Sequence, residues 1–371
     1  MSILIFVIIL LVLVLAHEFG HFFTAKKFGI RVDEFGFGFP PKLFGFKKGE
    51  TEYTFNLLPL GGFVKIFGES PDENDLSGPD ASRSFVSKPK WQQAIVLGAG
   101  IFANFLLAWL LLSIGFMSGL PSSVNTENKN LTVTDVNLVV VSVSPDSPAM
   151  KSGLKTGDKI VSLGYVNPTK PEEMEDVKDI NPNTLKEFVV AHGDKEITLG
   201  YIRGKNKEFG VAKITPETTN GTPAIGISMD QIGTAKLPII QAFYEGGKLT
   251  ISVTKATALG LYGLIADGIK GKGSFASVTG PVGMVGIVGD AYEFGFVYLL
   301  SFAALISVNL GIINLIPFPA LDGGRLFFLL IEKIKGSPIT PKIANTANMI
   351  GFGILLLLMA VVTYHDIVKL F

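Results

Sequence analysis

Two histidines and a glutamate stand together in His17-Glu18-Phe19-Gly20-His21, the spacing HExxH. On a helix of about 3.6 residues per turn, positions i and i+4 lie about 40° apart, so both imidazoles face one point. Glu18 is turned by about 100° from His17, within reach of a water held at that point. These are the parts of a zinc site that hydrolyses amides: the metal acidifies a water and the carboxylate takes its proton. HExxH arises often by chance, and its surroundings decide. Here it follows the unbroken apolar run ILIFVIILLVLVLA, residues 3–16. Ionisable groups inside a membrane-length segment are costly enough to mark function.

A catalytic zinc takes three protein ligands and keeps one position open. The chain has 4 histidines and 0 cysteines, which excludes thiolate sites and thiol catalysis. His192 falls in a polar region and His365 at the far end of the last apolar segment; both read as solvated or interfacial histidines. The better third ligand is Asp322, in the run NLIPFPALDGGR at 314–325. Its prolines break a helix, and Gly323 and Gly324 let backbone approach closely. Broken helix at membrane depth is tolerated where it lines a protein cavity.

Membrane helices must position these residues. The 371 residues are 48% hydrophobic and 17% charged, against about 25% charged in soluble domains. Mean hydropathy is +0.44. Lys plus Arg and Asp plus Glu number 32 each, which excludes a strongly charged disordered chain and a basic nucleic-acid binder. Four segments read as spans, at 3–25, 94–119, 297–316 and 349–364. The first lacks a basic leader and a small-residue cleavage site, so it reads as a retained span. Lys26, Lys27, Arg31, Lys88, Lys90, Arg325, Lys333, Lys335 and Lys342 flank the same ends of the spans. That bias places those ends in the cytoplasm, both termini outside, and the stretch 120–296 outside. His17 then lies about 13 Å along the helix from Lys26, within the bilayer and toward the cytoplasm.

Four parts are expected. Residues 1–119 form the first half of a membrane core, with a cytoplasmic β-rich loop at 30–90. Residues 120–236 form an outer α+β domain with linkers. In it we expect a strand at 139–143, a Pro-capped turn and strand over 144–164, and a helix from Thr184 as N-cap. A hairpin at 196–203 and 208–215 and a short strand at 224–227 complete it, with loops at 121–130 and 167–183. Residues 237–296 hold an amphipathic helix at the outer membrane surface. A fifth span is the alternative there, opposed by Glu245, Lys248, Lys255 and the pair Gly246-Gly247. Residues 297–371 complete the core.

The outer region resembles a PDZ domain through Ser144–Ala149, Ser152-Gly153-Leu154 and Gly157-Asp158-Lys159-Ile160. A PDZ domain implies binding of an extended peptide, often at its C-terminus. HEFGH in the first span, NLIPFPALDGG at the third and the outer PDZ-like domain together resemble the site-2 protease family, over nearly the whole chain. The likeness is greatest to its bacterial sigma-E-regulating group. It implies an intramembrane zinc endopeptidase of the bacterial cytoplasmic membrane, with one Zn2+ bound by His17, His21 and Asp322 and Glu18 as general base. Asn314 would handle the substrate backbone or support the oxyanion. Gly61, Gly62, Phe63, Val64 and Lys65 match a cytoplasmic membrane-associated β segment, preceded by Gly36-Phe37-Gly38, that could hold substrate extended. Asn104 matches the end of a small-residue segment in the second span, GAGIFAN, where Ile101 replaces the usual proline. Gly280-Pro281-Val282-Gly283 matches a further family segment. The implied partners are single-span membrane proteins such as anti-sigma factors or remnant signal peptides, the lipid bilayer, and a peptide C-terminus at the PDZ-like domain. A non-catalytic membrane scaffold, and a metalloprotease with its catalytic domain outside the bilayer, are the competing readings.

Overall fold

The computed structural model describes residues 1–69, 78–124, 132–166, 174–176, 179–204, 207–219, 221–271 and 279–368. The first apolar run folds into one helix, α1 (Ser2–Lys27), with HExxH in its second half and two lysines in its last turn. β1 (Val32–Lys48), β2 (Thr51–Ile66) and α2 (Lys90–Ser118) follow. Then come β3 (Leu120–Ser123), β4 (Val133–Val143), α3 (Pro148–Lys151), β5 (Lys159–Val166), β6 (Met174–Asp176) and α4 (Pro182–Ala191). They lead to β7 (Ile197–Arg203), β8 (Glu208–Ile214), β9 (Glu217–Thr219), β10 (Thr222–Ala224) and β11 (Ile227–Ala235). The chain ends with α5 (Ile239–Ile269), α6 (Pro281–Phe294), α7 (Phe296–Leu315), α8 (Asp322–Lys335) and α9 (Pro341–Val368).

Among the described residues α1, α2, α5, α7 and α9 are long and apolar enough to cross a membrane. Four of them cover the segments read as spans. The other, α5, falls where an amphipathic surface helix is expected; its 31 residues reach about 46 Å at 1.5 Å per residue. The chain divides into two compact units. One comprises Met1–Ile114, Phe243–Asp290 and Leu299–Phe371; the other comprises Gly115–Ala242 and Ala291–Tyr298.

In the helical unit, Ala108 and Leu112 of α2 pack with Ala304, Val308 and Ile312 of α7, and Leu249, Val253 and Leu261 of α5 lie against them. Trp109 Nε1 donates to Phe243 O at 2.8 Å. A second cluster joins Ala25, Ile30, Val32, Ile66, Phe85, Val96 and Leu97, with Leu326 and Leu329 of α8 against it. β1 and β2 pair antiparallel in a double register. Phe35 lies opposite both Val64 and Tyr53, and Tyr53 lies opposite both Phe35 and Phe46. The hairpin is thus folded into four ribbons, in the order 42–48, 51–56, 32–38, 62–66. Among the described residues the ribbon 62–66 is an edge.

The outer unit is built on a sheet in the order β3-β11-β4-β5-β7-β8, with β6 on β5. Leu163, Leu185, Ile197, Leu199 and Ile214 are fully buried in its core. Ser147 caps α3 by accepting from Met150 N. The cap of α4 differs from the expected Thr184. Asn181 accepts from Asn183 N and Thr184 N, and Thr184 Oγ1 accepts from Asn181 N. Pro182, preorganised for the first helical turn, moves the start forward. Within the expected loop at 167–183, residues 174–176 form a strand on β5; 167–173 and 177–178 lie outside the described residues. So do 125–130 of the first linker and the hairpin turn residues 205 and 206. β3 pairs only with Ile232–Ala235 of β11. Residues 227–230 of that strand therefore keep an open edge, among the described residues, beside the element pair α4 and β10.

Candidate metal centre

Helix geometry brings the two histidines of α1 together: His17 Nε2 and His21 Nε2 are 3.2 Å apart. Asp322, the first residue of α8, completes a triangle, its Oδ2 at 3.1 Å from His17 Nε2 and 3.2 Å from His21 Nε2. These are the only three such groups found converging among the described residues. Tetrahedral zinc with bonds of about 2.0–2.1 Å has ligand–ligand edges of about 3.3 Å, so the triangle has the size of one face of that tetrahedron. Asp322 Oδ2 is buried, yet neither imidazole meets it in hydrogen-bond geometry. Three ligand-type atoms converging, with Asp322 Oδ2 given no hydrogen bond, fit a cation better than they fit one another. Zinc fits the donor set: two imidazoles and a carboxylate.

α2 shapes this site from one face. His21 Nδ1 donates to Val96 O at 2.8 Å, which leaves Nε2 free to ligate. A Cβ on Gly100 would lie 2.2 Å from His21 Nε2, and one on Gly20 would lie 2.3 Å from Ala99 O. Asn104, fully buried, places Nδ2 3.1 Å from His17 Nδ1. Ser307 of α7 donates to Asn104 O at 2.8 Å. Val96, Gly100 and Asn104 recur every four residues, a pattern visible in the sequence but unread there. α2 is continuous through Ile101.

The loop between α7 and α8 delivers Asp322. A Cβ on Gly323 would lie 2.3 Å from Ile316 O, and one on Gly324 2.2 Å from Phe318 O. Only glycines let α8 start so close to the end of α7. Asn314 sits on the last turn of α7, half-buried and outside the triangle. The edge ribbon of β2 approaches α1: a Cβ on Gly62 would lie 3.7 Å from Glu18 Cγ. Gly61 faces the Phe39 ring and Phe63 covers Gly36. Val64 packs into the Ile30–Leu97 cluster, and Lys65 lies opposite Glu34. Beyond Gly62, Arg325 of α8 pairs with Glu69. His192 and His365 are not among the converging groups. His192 Nδ1 donates to Phe188 O at 3.0 Å in the outer unit.

The chain is similar to known proteins over its whole length. The family model of peptidase family M50 matches residues 5–358. The regulator of sigma-W protease RasP of Bacillus subtilis is 31% identical, over 100% of this chain and 99% of its own. The zinc metalloprotease RasP of Geobacillus kaustophilus is 30% identical, over 100% of this chain and 98% of its own. The chain therefore belongs to peptidase family M50, the site-2 protease family of zinc metalloendopeptidases.

Proposed function

We propose that the chain cuts single-span membrane proteins within or near their membrane-spanning segment, with His17, His21 and Asp322 as zinc ligands and Glu18 as the base. The observation that carries this reading is the triangle of ligand atoms, at zinc-like spacing, on a helix that is otherwise apolar. Zinc, when bound, supplies Lewis acidity to the scissile carbonyl and acidifies the attacking water. Glu18 Oε takes the proton of that water and returns it to the leaving amide nitrogen.

Asn104 orients His17. A ligating Nε2 requires the ring proton on Nδ1, and an Nδ1–H requires an acceptor. Asn104 Oδ1 is buried without a partner. Exchanging the two ends of that amide, which have nearly the same shape, gives His17 Nδ1–H its acceptor and Oδ1 its donor. The sequence suggested substrate contact for Asn104; its buried position favours this orienting role.

A membrane helix has every backbone group paired, so a substrate must unwind before cleavage. The edge 62–66 beside Glu18 offers backbone groups to an extended strand. Gly62 keeps that approach free of a side chain of its own, and Gly61 makes room for the Phe39 ring. Asn314, at the end of α7, is placed to hold the substrate carbonyl.

Four complete crossings, α1, α2, α7 and α9, would put both termini on one side, and the Lys and Arg at the opposite span ends make that side the outside, with HExxH toward the cytoplasm. α2 ends outside and α7 begins outside, so whatever lies between must return to its starting side. Packing of α5 along α2 and α7 supports a place among the spans rather than on the membrane surface. The open edge at 227–230 gives the outer unit a place for a peptide terminus, and so a means to admit only trimmed substrates. Glu18→Gln is expected to lower cleavage of a co-expressed single-span reporter by about 10²–10⁴-fold with zinc retained. Undiminished cleavage would sink the mechanism.

A further inference from the structure

The segment that carries Asp322 contains a strained turn. Leu321 N donates to Phe318 O at 3.1 Å, closing a four-residue turn. Pro319 is its second residue. Ala320 is its third, with φ 76°. That is the type II arrangement, whose third position favours glycine because a Cβ is disfavoured at positive φ. No glycine stands there.

α9 grips the central peptide of this turn at both ends. Ala320 N–H donates to Asn348 Oδ1 at 3.1 Å. Pro319 O lies where a Cβ on Gly351 would be only 2.4 Å away. Asn348 and Gly351 are one helical turn apart. In the commoner type I turn this peptide plane is turned over, and its N–H would leave Asn348. Immediately afterwards Gly324 N and Arg325 N donate to Leu321 O at 3.0 and 3.3 Å, which starts α8. The form of the turn therefore sets where α8 begins and where its first residue, Asp322, points.

We propose that Asn348 is a positioning residue for the metal centre: it selects the type II turn and thereby aims the Asp322 carboxylate at His17 and His21. The proposal rests on the reading of Asp322 as a zinc ligand. It assigns a function to a residue of the last span that neither HExxH nor the LDGG run includes.

The test measures zinc affinity of the full-length protein in detergent, by competition with a chromophoric chelator. Asn348→Leu keeps the bulk and removes the acceptor. It is expected to weaken zinc binding by about 10–100-fold. Asn348→Asp keeps an acceptor oxygen and is expected to bind zinc near the wild-type level. Ala320→Gly, added to Asn348→Leu, is expected to recover most of the loss, because glycine holds positive φ without help. Wild-type affinity in Asn348→Leu overturns the proposal. So does a loss that neither Asn348→Asp nor Ala320→Gly relieves, since that is a packing defect. Asp322→Asn separates the two readings. If it binds zinc normally, the ligand assignment falls and the proposal with it. If it loses zinc while Asn348→Leu does not, only the proposal falls.

Discussion

Each unit of the molecule buries a carboxylate against nitrogen, and the two carboxylates are treated differently. Asp158, in the outer unit, is fully buried and fully paired. Arg203 Nε donates to its Oδ1 and Arg203 Nη2 to its Oδ2, both at 2.6 Å, and Lys155 N donates to Oδ2 at 2.8 Å. Arg203 Nη2 also reaches Gly153 O, which closes the loop 153–158. Asp322, in the helical unit, faces two imidazole nitrogens at 3.1 and 3.2 Å without hydrogen-bond geometry. A carboxylate whose lone pairs are filled by the fold serves the fold. One that faces two imidazole nitrogens and is left without a hydrogen bond is part of a ligand set.

The largest expected effect comes from removing each charge in turn. Asp322→Asn should abolish zinc binding and proteolysis and leave the outer unit as resistant to urea as before. Asp158→Asn should leave zinc content unchanged. It should destabilise the outer unit by on the order of 3 kcal/mol, because it strands a partly buried guanidinium. Urea-dependent proteolysis of the full chain reads the second effect and metal analysis the first. Zinc loss in Asp158→Asn, or unfolding of the outer unit in Asp322→Asn, would break the distinction.

A smaller pair of changes sharpens it within one helix. Gly98 and Gly100 stand two residues apart in α2 and do different things. A Cβ at Gly98 meets nothing within 4 Å, whereas one at Gly100 would lie 2.2 Å from His21 Nε2. Alanine favours a helix over glycine by about 1 kcal/mol. Gly98→Ala is therefore expected to raise the thermal midpoint slightly with zinc affinity unchanged. Gly100→Ala displaces a ligand and should weaken zinc by about 10-fold or more. Equal behaviour of the two would show that small residues in α2 serve helix packing alone.

These particulars show what was legible in the sequence. HExxH is local: the i, i+4 rule fixes its geometry wherever the helix lies. LDGG was readable because glycine pairs and prolines have few uses at membrane depth. Asn348 was not readable. Its partner is a backbone N–H brought to it by packing between distant segments, and Ala320 carries no sign of positive φ. The double register of β1 and β2 was hidden for the same reason, since alternation along a strand does not say how often the strand is flanked. α5 shows local signals turned to another use. Glu245 and Lys248 argued against burial, yet they pair at 3.2 Å with Glu245 buried. Gly246, read as evidence against a fifth span, lets α5 approach Ser113.

The smallest effect concerns a third carboxylate, Glu50, which lies between the other two in kind. Like Asp158 it is paired with cationic nitrogen, but from two side chains, Lys26 Nζ and Arg83 Nη2, each at 2.5 Å. Unlike Asp158 it lies at the surface, where water screens the pair. The hydrogen bond from Lys26 is the main cause that holds its carboxyl below the ordinary glutamate range; that from Arg83 adds to it, against partial desolvation. A carboxyl with a lowered folded-state value stabilises the fold above its unfolded value, and that contribution fades as pH falls through the folded one. Glu50→Gln is therefore expected to lose about 1 kcal/mol or less at neutral pH, after allowance for screening by solvent. The gap in thermal midpoint between variant and wild type should close as the pH is brought down through the carboxylate range. It should also shrink in high salt. A gap that stayed constant in acid would mean that Glu50 acts through packing at the turn between β1 and β2. Its charge would then do no more for the helical unit than a neutral amide of the same shape.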